Sequence, residues 1–317
     1  MPKSIPMKFY GDLPNIPPDI KTVVTIGVFD GVHRGHQYLL GQLGTIASQL
    51  QVKSLVITFS NHPRKVLSPA TEVPTISPLV TRLSLIKDNG IDMVIPIKFT
   101  KELSKIRAGQ FIDILQRQLN MVGMVLGPDF AMGFQREGNA RTLKAMGYER
   151  DFFVTELDKI CIQGEKISSS SIRDAITAGH LSKATTLLGR EFQIEGKVTT
   201  GMAVGRTLGF PTANLDVDAT QLLPGDGIYA TWASFDEQTY MSATSIGNRP
   251  TFGDYERTIE SYLLDFDRDI YGKQLAITFV DKIRDGAKFE GPSELIKQML
   301  IDVENTKDIL SKARDNH

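Results

Sequence analysis

The chain predicts two folds in succession: an α/β unit built on an open parallel sheet, then an antiparallel β unit closed by a terminal helix. From Lys21 to about Ala178, apolar runs of strand length alternate with amphipathic segments, the signature of parallel strands joined by crossover helices. After about Leu188 the helical period disappears, and short β-rich runs follow one another between glycine, proline and aspartate turns. The length of 317 residues also exceeds what one compact core usually fills. Two domains are therefore expected, residues 1–187 and 188–317, with the boundary in the stretch 183–192.

In the first part the strand candidates are Thr22–Phe29, Ser54–Phe59, Met93–Ile97 and Met121–Leu126. Tyr38–Leu50 and Leu79–Asp88 have the pattern of amphipathic helices between them, and Asn89-Gly90 is a strong stop for the second. In the second part Gln193–Val198, Ile228–Phe235, Tyr240–Ile246, Ile259–Phe266 and Leu275–Ile283 fit an antiparallel barrel or sandwich. The last segment, Pro292 to about Leu310, places Leu295, Ile296, Met299, Leu300, Val303, Ile309 and Leu310 at helical spacing. This stripe is expected to pack on the barrel in a purely structural role. No internal repeat stands out, and Pro14–Pro18 reads as an extended lead-in.

A formal net charge of −1 lacks the positive excess that non-specific nucleic-acid binding exploits, so no nucleic-acid partner is expected. The single cysteine, Cys161, can form no intrachain disulfide, which suits a reducing compartment, and it is expected as a small buried hydrophobe. The N-terminus has no apolar core of signal-peptide length, and no later run is long and uncharged enough to span a bilayer. A soluble cytoplasmic protein, a monomer or weak homo-oligomer with no membrane partner, is the expectation.

The first chemical constellation is TIGVFDGVHRGHQ, Thr25 to Gln37. In an open parallel sheet, ligands bind beyond the carboxyl ends of strands, where the next helix aims its free N–H groups and positive dipole end. Asp30-Gly31 makes a tight turn there, and Gly35 admits close backbone approach. His33 and His36, three apart, share one face of the first helical turn. Two imidazoles can donate hydrogen bonds without full charge, which suits a phosphate whose charge grows during displacement. Either histidine alone reads as a cap or a surface residue; the company further along raises the functional reading. His62-Pro63 follows a second strand, Gly127-Pro-Asp-Phe-Ala-Met-Gly133 follows another with Asp129 among its glycines, and Ile167-Ser-Ser-Ser-Ser-Ile-Arg173 sets hydroxyls and an arginine at a helix N-terminus. Zinc on His33, His36 and His62 is the weaker alternative, because closing ligand types are missing.

Together GVFDGVHRGHQ, HP, GPDFAMG and ISSSSIR resemble the adenylyltransferase module of bacterial bifunctional riboflavin kinase/FAD synthetases, a Rossmann-like nucleotidyltransferase. The resemblance implies that His33 and His36 contact the α- and β-phosphates of ATP, with Gly27 and Phe29 in the same ATP site. It implies that Ser168, Ser169, Ser170 and Arg173 hold the triphosphate tail, and that His62 and Asp129 lie near the ATP and flavin ends of the cleft. The implied reaction is in-line attack of the FMN phosphate on the α-phosphorus of ATP, giving FAD and pyrophosphate with Mg2+ between the phosphates and no protein nucleophile.

The second constellation, Gly196 to Leu215, carries Gly201, Gly205 and Gly209 ahead of Pro211-Thr-Ala-Asn214. On spacing alone such glycines favour hairpins, and no Gly-Lys-Ser or Gly-Lys-Thr marks a P-loop. With Gly225-Asp-Gly-Ile-Tyr229, Ile246-Gly-Asn-Arg-Pro-Thr-Phe-Gly253, Ile259-Glu-Ser-Tyr-Leu-Leu-Asp-Phe266 and Asp269-Ile-Tyr-Gly272 in this order, it resembles the riboflavin kinase module, a small antiparallel barrel. The resemblance implies that Thr212 and Asn214 bind the Mg2+–ATP phosphates, that Gly201 to Gly209 form a flap over the nucleotide, and that Glu260 takes the proton from the riboflavin 5′-hydroxyl.

Overall fold

The computed structural model describes residues 13–162, 164–201, 205, 208–248 and 257–314. The chain divides into two compact units, Met1–Ser168 and Ser169–His317. Its elements run β1 (Thr22–Gly27), α1 (Arg34–Gln49), β2 (Lys53–Phe59), α2 (Pro63–Leu67), α3 (Leu79–Asp88), β3 (Met93–Ile97), α4 (Ala108–Leu119) and β4 (Met121–Leu126). Then come β5 (Ala131–Met132), β6 (Gly138–Asn139), α5 (Ala140–Arg150), β7 (Phe153–Glu156), β8 (Cys161–Ile162) and β9 (Glu165–Lys166). The second unit holds α6 (Ser169–Thr177), α7 (Leu181–Leu188), β10 (Phe192–Thr199), β11 (Ala213–Val217), β12 (Gly227–Phe235), β13 (Gln238–Asn248), β14 (Arg257–Leu263), β15 (Gln274–Arg284) and α8 (Pro292–Arg314).

The first unit is a five-stranded parallel sheet in the order β3-β2-β1-β4-β7. Its central strands β1, β2 and β4 are buried on both faces, so they read as near-continuous apolar runs rather than alternating ones. Val24 and Ile26 of β1 join one core with Ile112 and Leu115 of α4, while Val23 joins the other with Leu40 and Leu43 of α1. Burying one such side chain stabilises by about 1.5–3 kcal/mol. Strand order reverses between β1 and β4, so the carboxyl end of β1 opens on the crevice where sheets of this kind take ligands. The first strand ends at Gly27, two residues short of the expected Phe29, because Phe29 takes a left-handed φ of 52° and turns the chain out of the ladder.

The second unit closes a six-stranded antiparallel barrel, β10-β11-β14-β13-β12-β15. Inward and outward residues alternate along β14: Ile259, Ser261 and Leu263 are buried, while Thr258, Glu260 and Tyr262 face outward. The interior is partly polar. Thr231, Ser242, Thr244 and Ser261 are wholly buried and bond to one another at 2.7 to 3.0 Å, which satisfies hydroxyls that would otherwise be costly to bury. A one-residue slip would expose this chain of hydroxyls, so it helps fix the register that puts Glu260 outside. Helix α8 packs on β12, β13 and β15.

Two expectations need correction. Cys161 is exposed, because it lies on the two-stranded ribbon β8–β9 and not in a core. The stripe on α8 packs on the barrel as expected but not at every position: Leu300 faces solvent, the buried positions are Asp302, Thr306 and Leu310, and Leu295, Met299 and Val303 line a cavity. Among the described residues no helix is long and apolar enough to cross a membrane.

Candidate active sites

In the first unit, the turn after β1 is strained and held from several sides. Phe29, Gly31 and Val32 all have positive φ (52°, 80° and 39°), and each non-glycine in that region costs on the order of 1–3 kcal/mol. The buried carboxylate of Asp30 offsets this by accepting the backbone N–H of Ile76 at 3.0 and 3.1 Å and that of Ser77 at 3.2 Å, which ties a distant loop to the turn.

His33 is the N-cap of α1: its Nδ1 accepts the backbone N–H of His36 at 3.2 Å. A neutral His33 therefore carries its proton on Nε2, where it can donate to a ligand. The two imidazoles stack with centroids 3.6 Å apart, and Phe29 meets His36 edge-on at 5.1 Å. Gly35 makes this possible, since a Cβ there would stand 3.2 Å from the His33 ring. The first turn of α1 holds no acidic side chain, leaving its positive end available to an anion. Burial, then the neighbouring His33, then Arg82 push the His36 pKa well below its ordinary value, so this imidazole is neutral at neutral pH.

His62 follows β2 and caps α2, accepting the backbone N–H of Arg64 at 3.1 Å. Asp129 lies in the loop after β4, so these two flank the β1 turn from opposite sides. The side chain of Asp129 is 61% exposed and pairs with Lys159 at 2.9 Å and Lys166 at 3.5 Å. The Lys159 hydrogen bond lowers its pKa. Its partners are thus lysines, and its place is the rim. Ser169 opens α6 with Ser170 in the first turn, Ser168 just before it and Arg173 one turn in.

In the second unit, Thr212 immediately precedes β11, and Asn214 of β11 pairs in register with Glu260 of β14. Thr212 Oγ1 donates to Glu260 Oε2 at 3.2 Å. A Cβ on Gly201 would fall 2.3 to 2.6 Å from the Asn214 side-chain atoms, so only glycine lets that loop close over the amide. Glu260 lines a cavity of about 830 Å³ outside the barrel wall, with Ala243, Ser245, Tyr262, the segment Arg284–Phe289 and the inner edge of α8. A second cavity of about 370 Å³ lies between Val198, Pro211, Phe266, Asp269 and Tyr271. Thr212 lines both. Gly205 lines the larger cavity and Gly209 has a φ of 88°, but residues 202–204, 206 and 207 of the expected flap lie outside the described residues, as do 249–253 of the Ile246–Gly253 motif.

Known proteins match both halves in order. The FAD synthetase family profile covers residues 16–171 and the riboflavin kinase profile residues 188–310. A bifunctional riboflavin kinase/FMN adenylyltransferase of Listeria monocytogenes is 37% identical over 94% of this chain and 95% of its own length. That of Bacillus subtilis is 36% identical over 88% and 89%. The chain belongs to the bifunctional riboflavin kinase/FMN adenylyltransferase family. A crystal structure described as a macrolide-efflux protein from Streptococcus pneumoniae aligns with a TM-score of 0.86 at 31% identity, over 95% of this chain and 97% of that one.

For a member of this family, the geometry adds residues that the sequence did not single out. Arg82 of α3 is only 4% exposed; its Nη2 donates to Phe59 O at 2.7 Å, and its Nε has no partner among the described residues. Burial lowers its pKa, and Asp30 opposes that shift. A lone arginine in an amphipathic helix reads as a solvent-facing residue, and nothing in its neighbours signals burial behind a histidine pair. Asp30 could have been found: a carboxylate beside glycine in a strained turn is a common backbone anchor.

Proposed function

We propose that the first unit transfers the adenylyl group of ATP to FMN and that the barrel phosphorylates riboflavin with ATP. The observation that carries this reading is that each compact unit has its own constellation suited to phosphate, the stacked histidines at the start of α1 and the Thr212–Glu260 pair beside two cavities.

In the barrel, riboflavin occupies the larger cavity and the nucleotide the smaller one, so their reacting ends meet at Thr212. Glu260 accepts the proton of the riboflavin 5′-hydroxyl while that oxygen attacks the γ-phosphorus and ADP leaves. Thr212, Asn214 and Glu260 present hard oxygens at adjoining strands, with the Gly201 backbone close over the Asn214 amide, a donor set that fits Mg2+. Thr212 and Asn214 would hold the ion, whose contribution when bound is to spread phosphate charge.

In the first unit, the FMN phosphate attacks the α-phosphorus of ATP in line and pyrophosphate departs. His33, through Nε2–H, neutral His36 and the N-terminus of α1 donate hydrogen bonds to the phosphates as their charge redistributes. Gly27 and Phe29 shape this site, and His62 lies at its nucleotide end. Asp129 stands at the flavin rim with Lys159 and Lys166; Ser168, at the end of the first unit, and Ser169, Ser170 and Arg173, at the start of the second, are assigned to the phosphate tail on the family resemblance alone.

The test is a chromatographic time course with riboflavin, ATP and Mg2+. FMN should rise first and FAD follow. Absence of both, with reduced flavin also supplied, would overturn the reading.

A further inference from the structure

The larger barrel cavity is bounded by the barrel wall and by the inner edge of α8, a helix that also packs on β12, β13 and β15. Leu295, Met299 and Val303 of α8 line the cavity, and the buried positions of the helix are Asp302, Thr306 and Leu310. Asp302, beside Val303 and one turn after Met299, is 4% exposed and lines the same cavity. Arg284, the last residue of β15, grips its carboxylate: Nε donates to Oδ1 at 2.9 Å and to Oδ2 at 3.2 Å, and Nη2 to Oδ2 at 2.7 Å. Gln298, one turn earlier on α8, adds a bond to Oδ1 at 2.9 Å. The same guanidinium donates through Nη1 to the carbonyl of Asp285 at 3.0 Å and lies 5.8 Å from the Phe289 ring. One cation thus ties together the end of β15, the segment after it and α8, and Arg284, Asp285, Phe289 and Asp302 all line the cavity that contains Glu260.

Stability alone does not explain such a pair. A buried ion pair contributes no more than well-packed apolar residues of similar volume, and often less. What a planar fork on a carboxylate supplies is a fixed distance and orientation. An apolar seam here could close the gap or let the helix slide.

We propose that Arg284 and Asp302 are positioning residues for the kinase reaction, holding α8 at the spacing that admits the flavin rings and presents the 5′-hydroxyl to Glu260. This rests on the larger cavity being the riboflavin site.

The test uses full-length Arg284→Lys and Asp302→Asn, with Arg284→Met/Asp302→Leu as a paired apolar replacement. In each single variant the KM for riboflavin should rise roughly tenfold or more, since small misplacements of a bound substrate are that costly. The KM for ATP in the kinase reaction and the conversion of supplied FMN to FAD should hold. The paired variant should recover the wild-type melting temperature yet keep the high riboflavin KM. A wild-type KM in the paired variant would mean the pair serves only stability and would overturn the proposal. Met299→Trp, which fills the cavity, separates the two levels. If it leaves riboflavin turnover intact, the cavity assignment fails and the proposal with it. If it blocks riboflavin while the Arg284 and Asp302 variants behave as wild type, the positioning role alone fails.

Discussion

In the first unit the groups proposed to face phosphate are mounted by backbone: a turn with three positive φ angles, a helix N-terminus and a histidine that caps that helix. In the barrel they are mounted by side chains on the outside of a regular sheet, where Glu260 and Thr212 meet across neighbouring strands in a half-open cavity. On the proposed reading, one site handles charge with the neutral imidazole of His36 and the N-terminus of α1, the other with a carboxylate that lines an open cavity. Adenylyl transfer needs no proton removed from its nucleophile, since the FMN phosphate is already ionised, whereas a primary alcohol must lose one. The difference in mounting follows the difference in nucleophile.

The sharpest way to break this contrast is a reciprocal pair of variants. Glu260→Ala should lower FMN formation from riboflavin by roughly 10²–10⁴-fold while supplied FMN still becomes FAD. His36→Ala should lower FAD formation by roughly 10²–10³-fold while FMN accumulates. Each is read in the same chromatographic assay, and loss of both activities in either soluble, folded variant would mean the sites are not independent.

A subtler break uses pH. His36 is held below the 6.5 of a free imidazole by burial, by His33 and by Arg82. On unfolding it regains its ordinary affinity for protons, so between the folded pKa and 6.5 the unfolded chain binds more of them. The neutral imidazole therefore costs nothing above about pH 6.5, and first-unit stability declines as pH falls below it. Arg82→Met removes one of the three causes and should raise the His36 pKa. The acid limb of FAD formation should then move toward neutrality while that of FMN formation stays in place. A changed rate with an unmoved limb would assign Arg82 a role other than keeping His36 neutral.

Asp30→Ala tests the mounting itself. Leaving the N–H groups of Ile76 and Ser77 without their acceptor should destabilise the first unit by about 1–3 kcal/mol, measured by denaturant unfolding, and should reduce FAD formation in parallel. An unchanged midpoint would show that the turn is held by something else.

Much of this is legible in the sequence. Met93–Ile97, Met121–Leu126 and Leu79–Asp88 fall where the pattern puts them, because the two strands are short apolar runs and the helix is an amphipathic segment closed by Asn89-Gly90. The strand Ala213–Val217 was not recognised, since its pattern is short and sits inside a glycine-rich motif; it becomes a strand by pairing with β10 and β14. The histidine pair is weakly specific by its spacing at a strand's end, and its functional reading comes from the company of His62, Asp129 and the Ser168–Arg173 motif. Arg82, Asp302 and Thr306 are not legible, because polar residues at buried positions look like surface until the partners that satisfy them, such as Arg284 for Asp302, are known. Hydrophobic patterning reports where water is excluded by apolar groups and is silent where charged groups exclude it by pairing.

The smallest expected effect separates geometry from stability most cleanly. Gly35 is the second residue of α1, where alanine is the better helix former by about 1 kcal/mol. Its Cβ, however, would stand 3.2 Å from the His33 ring, so the imidazole must tilt by a few tenths of an ångström to make room. Gly35→Ala should therefore leave the melting temperature unchanged or slightly raised while FAD formation falls by roughly 3- to 10-fold, with FMN formation untouched. In the barrel a comparable shift has no backbone cap to disturb, because Glu260 is placed by strand register. If Gly35→Ala is as active as wild type, the stacked arrangement of the two histidines tolerates displacement, and the backbone mounting of the first unit matters less than its strain suggests.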